Sequence, residues 1–141
     1  MNQIINNISM KHFDFKTIDD INNFRRMTRT SQAIHLAEQI QSFIKIVDKH
    51  KVYYFDTNKN LWVLMTFIEY RFFITNYLNE SSILIKQIKK NYEDLPDEID
   101  KQINVLCRLF DNMTYIKDIM KRSFTMLLDK DFVLVHSKID T

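Results

Sequence analysis

At 141 residues, with 45% hydrophobic and 13% aromatic side chains, the chain has the size of one ordinary domain and enough apolar mass to bury a core, which excludes a disordered chain. A net charge of +2 falls short of the strong basic excess that marks a nucleic-acid binder by composition alone. The absence of glycine excludes a Walker phosphate loop, a dinucleotide-binding turn and a nucleophile elbow, each of which needs glycine for close backbone approach or positive φ. Cys107 is the only cysteine, so no internal disulfide forms, and its apolar helical context reads as a small buried hydrophobe. The longest apolar run, residues 61–68 interrupted by Thr66, is far shorter than the roughly 20 residues of a membrane span, so no membrane role is expected. "MNQIINNISMKHF" carries no secretory signal, which predicts an intracellular, cytoplasmic setting.

In chain order, Asn-rich residues 1–16 read as an N-terminal arm, and residues 17–141 as a single helical domain. "TIDD" opens a first helix, with Thr17 as cap and Asp20 three residues on, leading to Arg25, Arg26 and Arg29. A second helix opens near Ser31 and carries Ala33, Ala37, Ile40, Ile44 and Val47 at spacings of three and four. "VYYF" and "LWVLM", rich in β-branched and aromatic residues around the polar "DTNKN", predict a β-hairpin over about 52–65. An isolated hairpin is marginal in water, so this one must lie against helices. "TFIEYRFFITNYL" continues as helix, and Ser81 or Ser82 caps another through Ile85, Ile88 and Tyr92. Pro96 suits a first helical position followed by Asp97, Glu98 and Asp100, which complement the helix dipole. Thr114 is expected to cap the last long helix, with Ile116, Ile119, Met120, Phe124 and Leu127 inward, and residues 132–135 form a short β-prone run. The fold class is therefore mostly α, a single-domain helical bundle with one inset hairpin.

No group of side chains carries a catalytic signature, and no metal or other cofactor is implied. His12, His35, His50 and His136 are scattered without the i, i+4 spacing of a helical metal site. Paired carboxylates occur only in the acidic turn, where helix capping accounts for them. "RTSQAIH", from Arg29 to His35, resembles the Arg/His ribonuclease motif of the HEPN family, but one unbroken helix would not place the two side chains on one face. The basic residues are better organised. Lys86, Lys89 and Lys90 share a face of one helix, and Lys117 and Lys121, with Arg122 beside them, share a face of the last. A solvated face is the plain explanation; the functional one is that these cations neutralise phosphates while hairpin rings stack on unpaired bases. Alternation puts Tyr53 and Phe55 on one strand face and Tyr54 on the other, so one or two rings at most are available, with Tyr54 and Trp62 the candidates.

The order of these pieces resembles a known arrangement: a helix ending near "FIKIVDKH", the hairpin "VYYFDTNKNLW" with its closing tryptophan, a helix, "INVLCRLFDNMTYIKDIMKRSFTML", then "DKDF". Over about residues 34–132 the chain is similar to the α-helical domain just before the superfamily 3 helicase ring in poxvirus-type and satellite-phage-type primase-helicases. The matching positions are Trp62, Leu109 with Asn112, Thr114 to Lys117, and Asp129 to Phe132. In that family an ATPase with a phosphate loop follows, whereas this sequence has no glycine and cannot be the motor. The resemblance implies a split module or a stand-alone descendant that binds DNA, or a helicase or primase partner, without chemistry of its own; a homo-oligomer is left open. The alternative class is a small helical interaction protein, such as a host-defence antagonist of the Bcl-2-like kind, with a HEPN-like ribonuclease as the second alternative.

Overall fold

The computed structural model describes residues 7–48, 51–129, 131–132 and 139–140. Helix α1 (Ile18–Arg26) begins as "TIDD" predicts: the Thr17 side chain accepts from the Asp20 N–H (3.2 Å), and the Asp20 carboxylate accepts in return from the Thr17 N–H (3.1 Å). Helix α2 (Arg29–Ile40) is capped by Thr28, which accepts from the Ser31 N–H. The two helices and the last one meet at the buried Gln32. Its amide donates to the Phe24 carbonyl (3.0 Å) and accepts from the Tyr115 hydroxyl (2.8 Å), so both ends of a polar core residue are satisfied.

The helix expected to run to Val47 stops at Ile40, and residues Ile44–Asp48 form strand β1. The 3–4 spacing of Ile40, Ile44 and Val47 coexists with a period-2 pattern in "IKIVD", where Ile44 and Ile46 are buried and Lys45 and Val47 less so. Pairing with the hairpin decides for the strand. Strands β2 (Lys51–Asp56) and β3 (Leu61–Met65) are the predicted hairpin, and β1-β2-β3 is an antiparallel meander in which Ile44 faces Tyr54 and Tyr54 faces Val63. The turn is organised by buried Asp56. One carboxylate oxygen accepts from the Asn58 and Lys59 N–H groups (2.9 and 3.0 Å), and the other accepts from the Asn7 amide (3.0 Å). Asn60 closes the turn at φ 56°, a left-handed conformation that asparagine tolerates better than most side chains in a chain lacking glycine.

Helix α3 (Phe67–Lys90) is one element of 24 residues where the sequence suggests two. A capping box between Thr66 and Glu69 starts it. Ser81 does not cap a second helix: its hydroxyl donates to the Tyr77 carbonyl (2.8 Å) and accepts from the Phe13 N–H (2.9 Å), making it an internal joint, and Ser82 is buried beside it. Helix α4 (Asp97–Phe110) has Pro96 at its cap, one position earlier than expected, with the three predicted acids in its first turn. Helix α5 (Met113–Leu127) is capped by Asn112, which accepts from the Tyr115 N–H (3.1 Å), rather than by Thr114. Asn112 lies in extended backbone with its oxygen in reach of the orphan donor, whereas Thr114 is already inside the first turn.

Residues 7–16 are part of the core rather than an arm beside it. Ile8, Phe13 and Phe15 are buried, and the Phe13 ring packs on Phe24 (4.9 Å), edge-on to Tyr77 (5.1 Å) and near Phe110 (6.0 Å), so it joins α1, α3 and α4. One sheet face, with Ile44, Ile46, Val52, Tyr54 and Met65, joins this main core, while Tyr53, Trp62 and Phe132 form a separate cluster. Beyond α5, Leu128 forms a parallel bridge to Ile46 and the Asp129 N–H donates to the Ile46 carbonyl (2.7 Å). Of the β-prone run 132–135, only Phe132 lies among the described residues, and it is fully buried. A two-residue strand β4 (Ile139–Asp140) pairs in parallel with β3 at Trp62 and Val63, giving the sheet order β1-β2-β3-β4. The chain is thus mostly α, with the hairpin inset. Among the described residues no helix is long and apolar enough to cross a membrane.

Candidate functional site

The hairpin rings are not where a nucleic acid could stack on them. Tyr54 is 4% exposed, in the main core with its hydroxyl toward Asp56 (3.5 Å); Trp62 is 8% exposed, standing edge-on to Phe132 at 4.8 Å and to Phe55 at 5.5 Å. This corrects the expected hairpin contacts. Alternation does divide the rings between two faces, but both faces are covered, one by helices and the other by Phe132.

The six candidate cations divide by partner. Lys89 Nζ is held by Asp100 Oδ1 (2.6 Å) and Asn104 Oδ1 (2.8 Å), which ties α3 to α4. Arg122 donates to Asp118 Oδ1 (3.0 Å) and to the Thr30 hydroxyl (2.7 Å), which ties α5 to α2. These two are struts. Lys86 and Lys90 are exposed near the end of α3, and Lys117 and Lys121 are exposed one turn apart on α5; no described carboxylate is in ion-pair distance of these four. Arg29 is also a strut, donating to Asp118 Oδ2 (3.2 Å) with its guanidinium 4.5 Å from the centre of the Tyr115 ring. His35 packs instead on Phe13 and Phe24, 3.9 Å from Asp14, so Arg29 and His35 do not form one site within the chain.

Lys117 and Lys121 border a groove between the first turns of α3 and the middle of α5. It has a volume of about 570 Å³ and is lined by Phe67, Tyr70, Arg71, Lys117, Met120, Lys121 and Phe124. Helical periodicity builds it: Phe67, Tyr70 and Arg71 share one side of α3, and Lys117, Met120, Lys121 and Phe124 share one side of α5. Tyr70 and Met120 are buried as the floor, Phe124 is half-buried, and Phe67 stands on the rim at 43% exposure. Among the described residues the lining holds three cations and no carboxylate. Burial pushes the Tyr70 phenol well above its ordinary range, so the floor is neutral. Ser123 opposes that shift, yet its hydroxyl donates to the Met120 carbonyl (3.1 Å), and Tyr70 Oη has no partner within hydrogen-bonding geometry among the described residues. Elsewhere, Leu64 on β3 and Ile68 and Phe72, one turn apart on α3, are exposed apolar side chains.

Of this groove, sequence reasoning finds Lys117 and Lys121 and misses Phe67, Arg71 and Phe124 as site residues, the last being expected inward. The available signal is an arginine inside the apolar run "FIEYRFF" and a phenylalanine seven residues after Lys117. Among the described residues no group of three or more His, Cys, Asp or Glu side chains could hold a metal ion. Compared with family models, with curated proteins and with solved structures, the chain finds no match in any of the three.

Proposed function

We propose that the chain is a DNA-binding module without chemistry of its own, one that helps position or assemble a replicative helicase, as its resemblance to the helicase-preceding domain implies. The observation that supports this is the α3–α5 groove: apolar and aromatic surface bordered by Arg71, Lys117 and Lys121, with no acid among its described lining residues. Such a surface can attract and orient a polyanion, and its side chains supply charge and apolar area rather than a nucleophile paired with a base. The test is fluorescence anisotropy of labelled single-stranded, duplex and forked DNA across a salt series. Lys117→Glu with Lys121→Glu is expected to weaken binding at least tenfold while thermal unfolding is unchanged, and Lys86→Glu with Lys90→Glu to weaken it less. Unchanged affinity in the first pair removes the reading.

A second reading, a helicase or primase protein as partner, has its own support in the exposed apolar side chains Leu64, Ile68 and Phe72. It predicts that polar substitutions at these three positions reduce capture of the partner and leave DNA affinity intact.

A further inference from the structure

We infer that the groove takes a single strand, with an unstacked base lying on Phe67 and Phe124 and the flanking backbone on Arg71, Lys117 and Lys121. This rests on the reading of the chain as a DNA-binding module and adds the form of the strand and the groups that touch the base.

Three features carry the assignment. The first is size. The groove, of about 570 Å³, has room for a flat ring and its neighbouring backbone but not for a duplex, whose bases are stacked inside and whose outer surface is sugar and phosphate. The second is the arrangement of charge. Lys117 and Lys121 stand one turn apart on α5, about 6 Å along its axis, and Arg71 projects from α3 on the other side. The cations therefore flank an apolar strip, and a ligand anionic at its edges and apolar at its centre matches them. An unpaired nucleotide stretch has that profile, since its charge is confined to the backbone and its base offers an uncharged π face. The third is accessibility. Phe67 and Phe124 are the aromatic rings of the groove left partly open, whereas Tyr53, Tyr54 and Trp62 are closed off. Tyr70 underlies the groove as a neutral floor, which adds no anion to repel a phosphate.

The arrangement has a numerical signature. Three phosphate contacts on a single strand give a slope of log affinity against log salt of about −2, at roughly 0.7 per contact. Neutralising one of the three cations should reduce that slope by about 0.7. Replacing a ring on which a base stacks should leave the slope alone and weaken binding about 5- to 150-fold.

The experiment uses the full chain with a labelled oligothymidylate about 12 nucleotides long and a blunt duplex of equal length. Phe124→Leu, which keeps apolar bulk but removes the π face, is compared with Lys117→Gln, and circular dichroism confirms that both remain folded. A second measurement avoids dependence on variants: ultraviolet cross-linking of the wild-type chain to a 5-iodouracil oligonucleotide, with the attachment site read by mass spectrometry. We expect tighter binding of the single strand, at least fivefold weaker binding in Phe124→Leu at unchanged slope, a smaller slope in Lys117→Gln, and cross-links at Phe67 or Phe124. Equal binding of both DNA forms, with Phe124→Leu silent and cross-links elsewhere, would overturn this inference and leave the DNA-binding reading standing. No binding of either form at low salt would overturn both, and an acidic amphipathic helix would become the ligand to test in the groove.

Discussion

Trp62 and Phe67 are five residues apart, and each stands at the edge of an aromatic group, yet the two groups have opposite fates. Around Trp62 the cluster is closed: the fully buried Phe132 packs on Tyr53 and Trp62, and Phe55 packs on Trp62. Around Phe67 the groove stays open: Phe67 and Phe124 are partly exposed above the buried Tyr70, and they are bordered by cations that no described carboxylate neutralises. The difference shows that aromatic content is a poor guide to a binding face by itself. What distinguishes the two is whether another part of the same chain supplies the apolar cover, and a ring already covered contributes to stability rather than to recognition.

The comparison can be broken most easily at Phe132. Phe132→Ala is expected to destabilise the fold by about 3–5 kcal/mol, as for other buried phenylalanines, whereas Phe124→Ala in the open groove should change it by about 1 kcal/mol or less. Urea denaturation of the two variants measures both, and a larger loss for Phe124 would reverse the assignment of the two clusters.

Next in size is Asp56, which holds the turn between the strands that carry the closed cluster. Burial raises its carboxyl, but the Lys59 and Asn58 N–H groups and the Asn7 amide outweigh that and hold it below the ordinary carboxylate range. Asp56→Ala should destabilise by about 1–3 kcal/mol, because those donors lose their acceptor. The sign of the pH effect follows. With the folded value depressed, the contribution is complete above the unfolded carboxyl's pKa of about 3.9 and is lost as pH falls through the folded value. Denaturation midpoints between about pH 5 and 2 should therefore fall more steeply for the wild type than for Asp56→Asn.

A smaller effect sharpens the open side. Asn112→Ala removes the cap of the helix that carries Lys117 and Lys121 and should destabilise by about 1 kcal/mol, with Thr114→Ala costing less. The smallest is Tyr70→Phe. Its hydroxyl is buried with no hydrogen-bond partner among the described residues, so removing it should leave stability unchanged or raise it by up to about 1 kcal/mol in a thermal melt. A marked loss would show that the phenol has a partner after all.

The helical framework was legible because its signals are local: "TIDD" forms its capping box, the acidic turn opens α4, and the hairpin lies where "VYYF" and "LWVLM" place it. The errors arise where long-range contact decides between two local patterns. Ile44 to Val47 satisfies both helical and strand spacing, and only pairing with Val52 to Tyr54 selects the strand. Ser81 has a capping side chain, but the Phe13 N–H occupies it. The candidate site was half legible for the same reason. Lys117 and Lys121 are marked by spacing on one helix, while Arg71 and Phe67 become site residues only once α3 is packed beside α5. Arg122 could have been told from Lys121 by its i, i+4 spacing from Asp118, whereas its contact with Thr30 exists only once α2 is packed beside α5.

The bridge from Leu128 to Ile46 and the pairing of Ile139 with Trp62 bear on more than packing. A three-stranded meander has two rims of unsatisfied N–H and C=O groups, and an exposed rim is a template for adding strands from other molecules. Here one rim is engaged at β1 and the other at β3, both by chain that follows α5. The same stretch therefore guards solubility at two places at once. Loss of its pairing would register less in the unfolding midpoint of the helices than in self-association, with strand-to-strand oligomers growing from both sides of the sheet as concentration rises.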